Sequence, residues 1–60
     1  MTLQAEKTYI LRFNIEGVNL VFTATIVSSD ENFVTFKDRF SRVLTYNLKY
    51  LISAEEVMGL

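Results

Sequence analysis

Two runs of alternating residues, joined by one glycine-containing turn, constrain the fold of this chain most. Period-two alternation over about eight residues is typical of a half-buried β-strand. Glu16-Gly17 separates the runs, and glycine supplies the positive φ that a tight hairpin requires. The sequence therefore predicts a long hairpin built from strands over Tyr9–Ile15 and Asn19–Ser28. The expected inward positions are Tyr9, Leu11, Phe13, Ile15, Leu20, Phe22, Ala24 and Ile26.

The second of these strands has apolar or β-branched residues on both faces, which predicts a central strand or a long, bent one. A short strand over Asn32–Lys37, a charged turn and a fourth strand over Arg42–Asn47 follow. The alternation breaks at 47–50, as in a single helical turn, and Leu51–Ser53 resumes an extended segment. Val, Ile, Thr, Tyr and Phe, which favour pleated sheets, make up 24 of the 60 residues. The expected fold is mainly β: a small antiparallel five-stranded barrel or open sheet.

The C-terminal segment also supports a helical interpretation. Ser53–Glu56 has the Ser-x-x-Glu form of a capping box, and Gly59 stands where a glycine ends many helices. Leucines recur near helical spacing within Leu44–Met58. The intervening threonine, tyrosines and asparagine are mediocre helix formers, which favours strands. A short helical turn over Ala54–Met58 fits either interpretation.

The composition excludes several classes of protein. The chain has no Cys, so no disulfide or thiolate metal site can form, and no His, the commonest general base. No apolar run reaches the ~18 residues that span a bilayer, and no signal-peptide pattern opens the chain. We therefore expect one soluble, cytoplasmic domain over residues 1–60, with 1–7 as a loose arm. We expect no catalytic residue, metal or cofactor, and we interpret the carboxylate pairs Asp30-Glu31 and Glu55-Glu56 as solubilising charge.

The order of these parts resembles small β-barrels of the Sm-like and Src-homology-3-like type. The resemblance is one of strand pattern and covers roughly residues 7–56. Sm proteins carry an aspartate and an asparagine near the turn after the second strand, where this chain has Asp30 and Asn32. They also carry an Arg-Gly or similar pair in a later turn, where this chain has Arg42-Val43. The resemblance implies a barrel and, where the signatures match, contact with RNA.

The turn over residues 37–42 is the first candidate site. Lys37, Arg39 and Arg42 are half of the six basic residues, and Phe40 lies among them. Cations beside an exposed aromatic ring are typical of phosphate contact and base stacking, so this turn is a candidate ligand contact. The alternative is a solvated turn whose Phe40 folds back over the sheet. Among the other aromatic residues, Phe33 and Tyr50 are also expected to be exposed.

The second face of the long strands is the other candidate. Ile10, Val21, Val27 and Val43 lie outside the core if the opposite face is buried, and such an apolar patch is typical of an interface. Two functions follow. The first is a non-catalytic module for protein interaction or self-assembly, as a homo-oligomer or with another protein. The alternative is binding of single-stranded nucleic acid through the 37–42 turn, which a net charge of −1 disfavours.

Overall fold

The computed structural model describes residues 3–57, which form one antiparallel sheet of five strands. The strands are β1 (Thr8–Ile15), β2 (Val18–Ser29), β3 (Phe33–Lys37), β4 (Val43–Asn47) and β5 (Leu51–Glu56), with a 3-10 turn at Leu48–Tyr50. Their spatial order is β4-β3-β2-β1-β5. Within residues 3–57 no ladder joins β4 to β5, so the sheet is open rather than closed into a barrel. The prediction of a mainly β fold is confirmed.

The hairpin turn sets the register of β1 against β2. Glu16 and Gly17 both have positive φ, 51° and 83°, as a two-residue type I′ turn requires. Ile15 consequently pairs with Val18, and the ladder continues to Thr8 opposite Thr25. This register places the inward side chains of both strands on one face.

β2 is the central strand of the sheet, one of the two outcomes that its apolar faces predict. It pairs with β1 over Val18–Thr25 and with β3 only from Thr25 to Ser29, with a register shift between Ile26 and Ser28. β3 has five residues and β2 has twelve. Among the described residues, Val18–Ala24 therefore has a strand partner on one side only.

The core lies on the concave face of the sheet. Phe13 and Phe36 are fully buried, and their rings pack with those of Phe22 and Tyr46 at centroid distances of 4.9–6.3 Å. Phe22, expected inside the core, is half-buried, because no strand covers β2 on the side away from β1 at this level. Tyr50, expected to be exposed, is also half-buried and packs against the core. The other buried apolar side chains are Leu3, Tyr9, Leu11, Ala24, Ile26 and Val34.

The helical interpretation of the C-terminal segment is wrong. Ser53–Glu56 belongs to β5, where Ala54 pairs with Leu11 and Glu55 with Ile10. The edge of β1 offers this segment a full ladder of hydrogen bonds, and that tertiary pairing overrides a local capping pattern. Within residues 3–57, the helical structure consists of the 3-10 turn that precedes β5. There the Asn47 side chain accepts a hydrogen bond from the Lys49 amide at 2.9 Å. Gly59, like Met58, lies outside the described residues.

Residues 3–7, expected to be a loose arm, are attached to the sheet. Leu3 is buried in the core, and its carbonyl accepts a hydrogen bond from the Ser29 hydroxyl. The Glu6 amide donates to the Ile26 carbonyl at 2.8 Å, and the Ile26 amide donates to the Lys7 carbonyl at 2.9 Å. Glu6 and Lys7 thus extend the β1–β2 ladder beyond Thr8. They follow a turn in the arm, and Glu6 has a φ of 67°.

Two phenylalanines of β3 provide a matched test of this packing. Phe36 is fully buried, whereas Phe33, three residues earlier on the opposite face, is 46% exposed. We expect Phe36→Ala to lower the free energy of unfolding by about 3–5 kcal/mol, a large share of the stability of so small a domain. Phe33→Ala is the control and should cost far less. Urea unfolding monitored by circular dichroism checks both, and equal losses would contradict the assignment of faces.

Candidate functional site

A buried aspartate organises the turn between β3 and β4. Asp38 is 7% exposed, and its Oδ1 accepts hydrogen bonds from the backbone amides of Phe40 and Arg42, both at 2.9 Å. Its Oδ2 accepts a hydrogen bond from Arg42 Nε at 2.8 Å. Aspartate favours such turns because its carboxylate reaches amides a few residues further along the chain. The backbone of Asp38 is bonded within the turn as well, and Ser41 takes the left-handed conformation with a φ of 65°.

These contacts hold Asp38 in its ionised form. Burial alone would raise the pKa of the carboxyl. The hydrogen bonds from the amide and side chain of Arg42 and the amide of Phe40, together with the Arg42 charge, outweigh it. The pKa of Asp38 therefore lies below its ordinary value of 3.8. At neutral pH the Asp38 carboxylate is therefore ionised and accepts the hydrogen bonds of the turn.

The structure brings together three of the four residues expected in the turn site. Phe40 is 64% exposed, and the guanidinium carbons of Arg39 and Arg42 lie 4.9 and 5.4 Å from its ring centroid. Both distances fall within the range of cation–π attraction. Lys37 is not part of this group, since it lies in β3 opposite Thr25 and Val43. The cluster Arg39, Phe40 and Arg42 is called the basic tip below.

A groove separates the basic tip from the N-terminal half of β2. It has a volume of about 290 Å³ and is lined by Val21, Phe22 and Thr23 on one side and by the turn from Asp38 to Arg42 on the other. Its walls combine apolar side chains with two guanidinium groups.

The backbone of β2 along this groove has unused hydrogen-bonding groups. Residues of an antiparallel pair alternate between those bonded to the partner and those directed away from it. A two-residue hairpin makes Ile15 and Val18 a bonded pair, so Val21 and Thr23 direct their amides and carbonyls away from β1. The Ile26 amide donates to the Lys7 carbonyl, on the β1 side of the strand. This agrees with the alternation, in which the even-numbered residues of this part of β2 bond towards β1 and Val21 and Thr23 point away from it. The segment Val18–Ala24 is called the free edge below.

The outer face of the sheet carries the predicted interface residues. Val21, Val27 and Val43 are 58%, 52% and 60% exposed. Ile10, expected to be exposed with them, is half-buried opposite Thr23 of β2 and Glu55 of β5. It therefore exposes less apolar surface than the valines. The valines are spread over β2 and β4 rather than joined into one patch.

Several exposed cations of residues 3–57 have no carboxylate partner within that range, and one of them, Arg39, lines the groove. The described residues contain two ion pairs, Lys7 with Glu56 at 3.3 Å and Arg42 with Asp38 at 2.8 Å. Arg12, Lys37 and Arg39 thus lie more than 4.0 Å from any carboxylate of residues 3–57. Arg12 pairs with Val21 across the β1–β2 ladder, on the side of β2 away from the groove. The lining of the groove carries Arg39 and Arg42 against Asp38, so it is locally positive although the chain carries a net charge of −1.

The described residues form no metal centre and no membrane-crossing helix. Within 3–57, no three acidic side chains lie close enough together to hold a metal ion. Asp30 instead accepts hydrogen bonds from the amides of Asn32 and Phe33, at 2.7 and 2.8 Å, and stabilises the turn before β3. No helix in this part of the chain is long and apolar enough to span a bilayer. Comparison with protein-family models, curated proteins and solved structures yields no match.

Two features of the site were not predicted from the sequence. The first is Asp38 as the buried centre of the turn, for which the signal was an aspartate four residues before an arginine. The second is the free edge, for which the signal was the mismatch in length between the second and third strands. Each signal is weak alone, because many turns contain such a spacing and many strands differ in length.

Asp38 makes the stability of the turn depend on pH. Since its pKa is lowered on folding, it contributes stability above its ordinary value of 3.8, and this is lost as the pH falls through the lowered pKa. We expect Asp38→Asn to reduce stability at pH 6 and to lessen the further loss between pH 4 and pH 2. Urea unfolding across this range measures both effects. Glu31→Gln, in the exposed turn after β2, is the control, and an acid sensitivity unchanged by Asp38→Asn would contradict the assigned role.

Proposed function

We propose that this chain is a non-catalytic protein-interaction module that associates with a second copy of itself through its open sheet. One observation carries the proposal: within residues 3–57, strand edges without a partner occur together with exposed valines on the outer face. An unpaired edge offers a row of amides and carbonyls to another strand, and nearby apolar side chains add burial to that pairing. Edges in many monomeric proteins are instead protected by charge or proline, and the chain has no proline.

The size of the chain supports the same proposal. A domain of 60 residues buries only about 60% of the surface that its unfolded chain exposes, and small domains often gain stability from disulfides, metals or partner subunits. The sequence has no Cys or His, which leaves packing and association. A net charge of −1 gives little repulsion between copies.

The basic tip favours a second candidate, binding of single-stranded nucleic acid. Arg39, Phe40 and Arg42 are exposed together, as in a site that contacts phosphate and stacks a base. Two facts rank it lower. Arg42 is partly neutralised by Asp38, and both guanidinium groups already approach the ring that a base would need. The likeness to Sm-like and Src-homology-3-like barrels stays a prediction.

Sedimentation equilibrium over a hundredfold range of concentration tests self-association. We expect the average mass to rise above 6.9 kDa as concentration increases, because association through edges obeys mass action. Val43→Glu should shift the rise to higher concentration by placing a charge on edge strand β4, where Lys37 opposite can pair with it and keep the fold intact.

Val43→Ile is the matched control, since it keeps the site apolar and β-branched, and it should associate like the original chain. A mass of one chain at every concentration would overturn self-association. Binding of a labelled single-stranded oligonucleotide that weakens steeply with salt would instead support the second candidate.

A further inference from the structure

We propose that the free edge of β2 and the basic tip form a docking groove for an extended acidic peptide, which adds to the sheet as a further strand. The proposal rests on the proposed function, since it names one class of partner for an interaction module. It concerns the free edge, Val18–Ala24, whereas the test of self-association changes Val43 on edge strand β4.

The backbone provides the first argument. Val21 and Thr23 direct amides and carbonyls into the groove at the spacing of a β-ladder. An extended peptide satisfies all of these groups at once, and such main-chain bonds provide affinity that does not depend on side-chain identity. A nucleic acid strand has no alternating amides and carbonyls to match them.

Charge provides the second argument and selects the occupant. Arg39 lines the groove without a carboxylate partner within residues 3–57, and Arg42 exposes 62% of its side chain despite its bond to Asp38. A carboxylate bound between Arg39 and Arg42 can accept charge-assisted hydrogen bonds. Because Asp38 fixes the turn in advance, the partner does not have to order it, which lowers the entropic cost of binding.

The apolar wall provides the third argument. Val21 and Phe40 are among the most exposed apolar side chains of the described region, and both line the groove. Side chains of a strand alternate between faces, so a peptide with alternating apolar and acidic residues can cover this wall and reach the guanidinium groups. The occupant is therefore an extended segment in which carboxylates alternate with apolar residues.

Fluorescence anisotropy with synthetic peptides tests the proposal on the full chain. The probe is a labelled eight-residue peptide of alternating valine and glutamate, compared with versions in which glutamine or lysine replaces glutamate. We expect the order of affinity to be glutamate, then glutamine, then lysine. A fourth peptide with N-methyl groups at alternate amides keeps the charges but cannot complete the ladder, and we expect no binding.

Two variants provide a matched pair. Arg39→Gln removes a cation located 4.9 Å from an aromatic centroid, and Lys49→Gln removes one at 5.0 Å from the Tyr50 centroid, outside the groove. We expect the first to weaken binding of the glutamate peptide by about fivefold, the upper end for an exposed ion pair, and the second to leave it unchanged. Circular dichroism spectra that match the original chain confirm that both variants fold.

Several outcomes would overturn the proposal. Failure of the glutamate peptide to bind excludes the groove, and equal binding of the N-methylated peptide excludes strand addition. If an oligonucleotide displaces the peptide with higher affinity, the occupant is a nucleic acid. If Arg39→Gln reduces the mass in sedimentation, the occupant is a second copy.

The two proposals can fail separately. Self-association without peptide binding refutes the groove alone, whereas a mass of one chain together with peptide binding refutes only self-association.

Discussion

The register of the β1–β2 hairpin determines the rest of this structure. The positive φ angles of Glu16 and Gly17 pair Ile15 with Val18, and every later pair of the two strands follows from that one. A shift of one residue would turn Leu11 and Phe13 towards solvent, since side chains alternate between faces. The buried aromatic cluster, the pairing of β5 on the far side of β1 and the direction of the free backbone groups all depend on this register.

The groove of the candidate site arises because β3 is shorter than β2 and leaves part of it unpaired within residues 3–57. β2 extends well past the end of β3, and the chain then leaves the sheet through the turn that Asp38 organises. The turn satisfies its own backbone and does not complete the ladder on β2. One feature, the unequal length of adjacent strands, therefore creates the free edge and places the basic tip across a groove from it.

Much of the fold follows from the sequence because the signals are local. Alternation places the first four strands within one residue of their observed ends, whereas the fifth continues to Glu56, three residues past the predicted end at Ser53. Asn47 caps the 3-10 turn by accepting a hydrogen bond from the Lys49 amide. The C-terminal segment misleads because the Ser53–Glu56 capping pattern is local too, whereas its pairing with β1 is not. Asp38 looks like any turn aspartate in the sequence, and its burial emerges only from the fold. The half-burial of Phe22 likewise depends on the fold, because β3 pairs with β2 only from Thr25 to Ser29 and does not cover Phe22.

Within residues 3–57, Val18–Ala24 of β2 has a strand partner on one side only, and amide hydrogen exchange measures this directly. In dilute, monomeric protein we expect alternating protection along the free edge, with slow exchange at Leu20, Phe22 and Ala24 and fast exchange at Val21 and Thr23. Protection should extend without a break to Thr25, where pairing with β3 begins, and to Ile26, whose amide donates to the Lys7 carbonyl. Uniformly slow exchange from Val18 to Thr25 in the monomer would contradict the account, because it would mean that a partner already covers this edge within the chain.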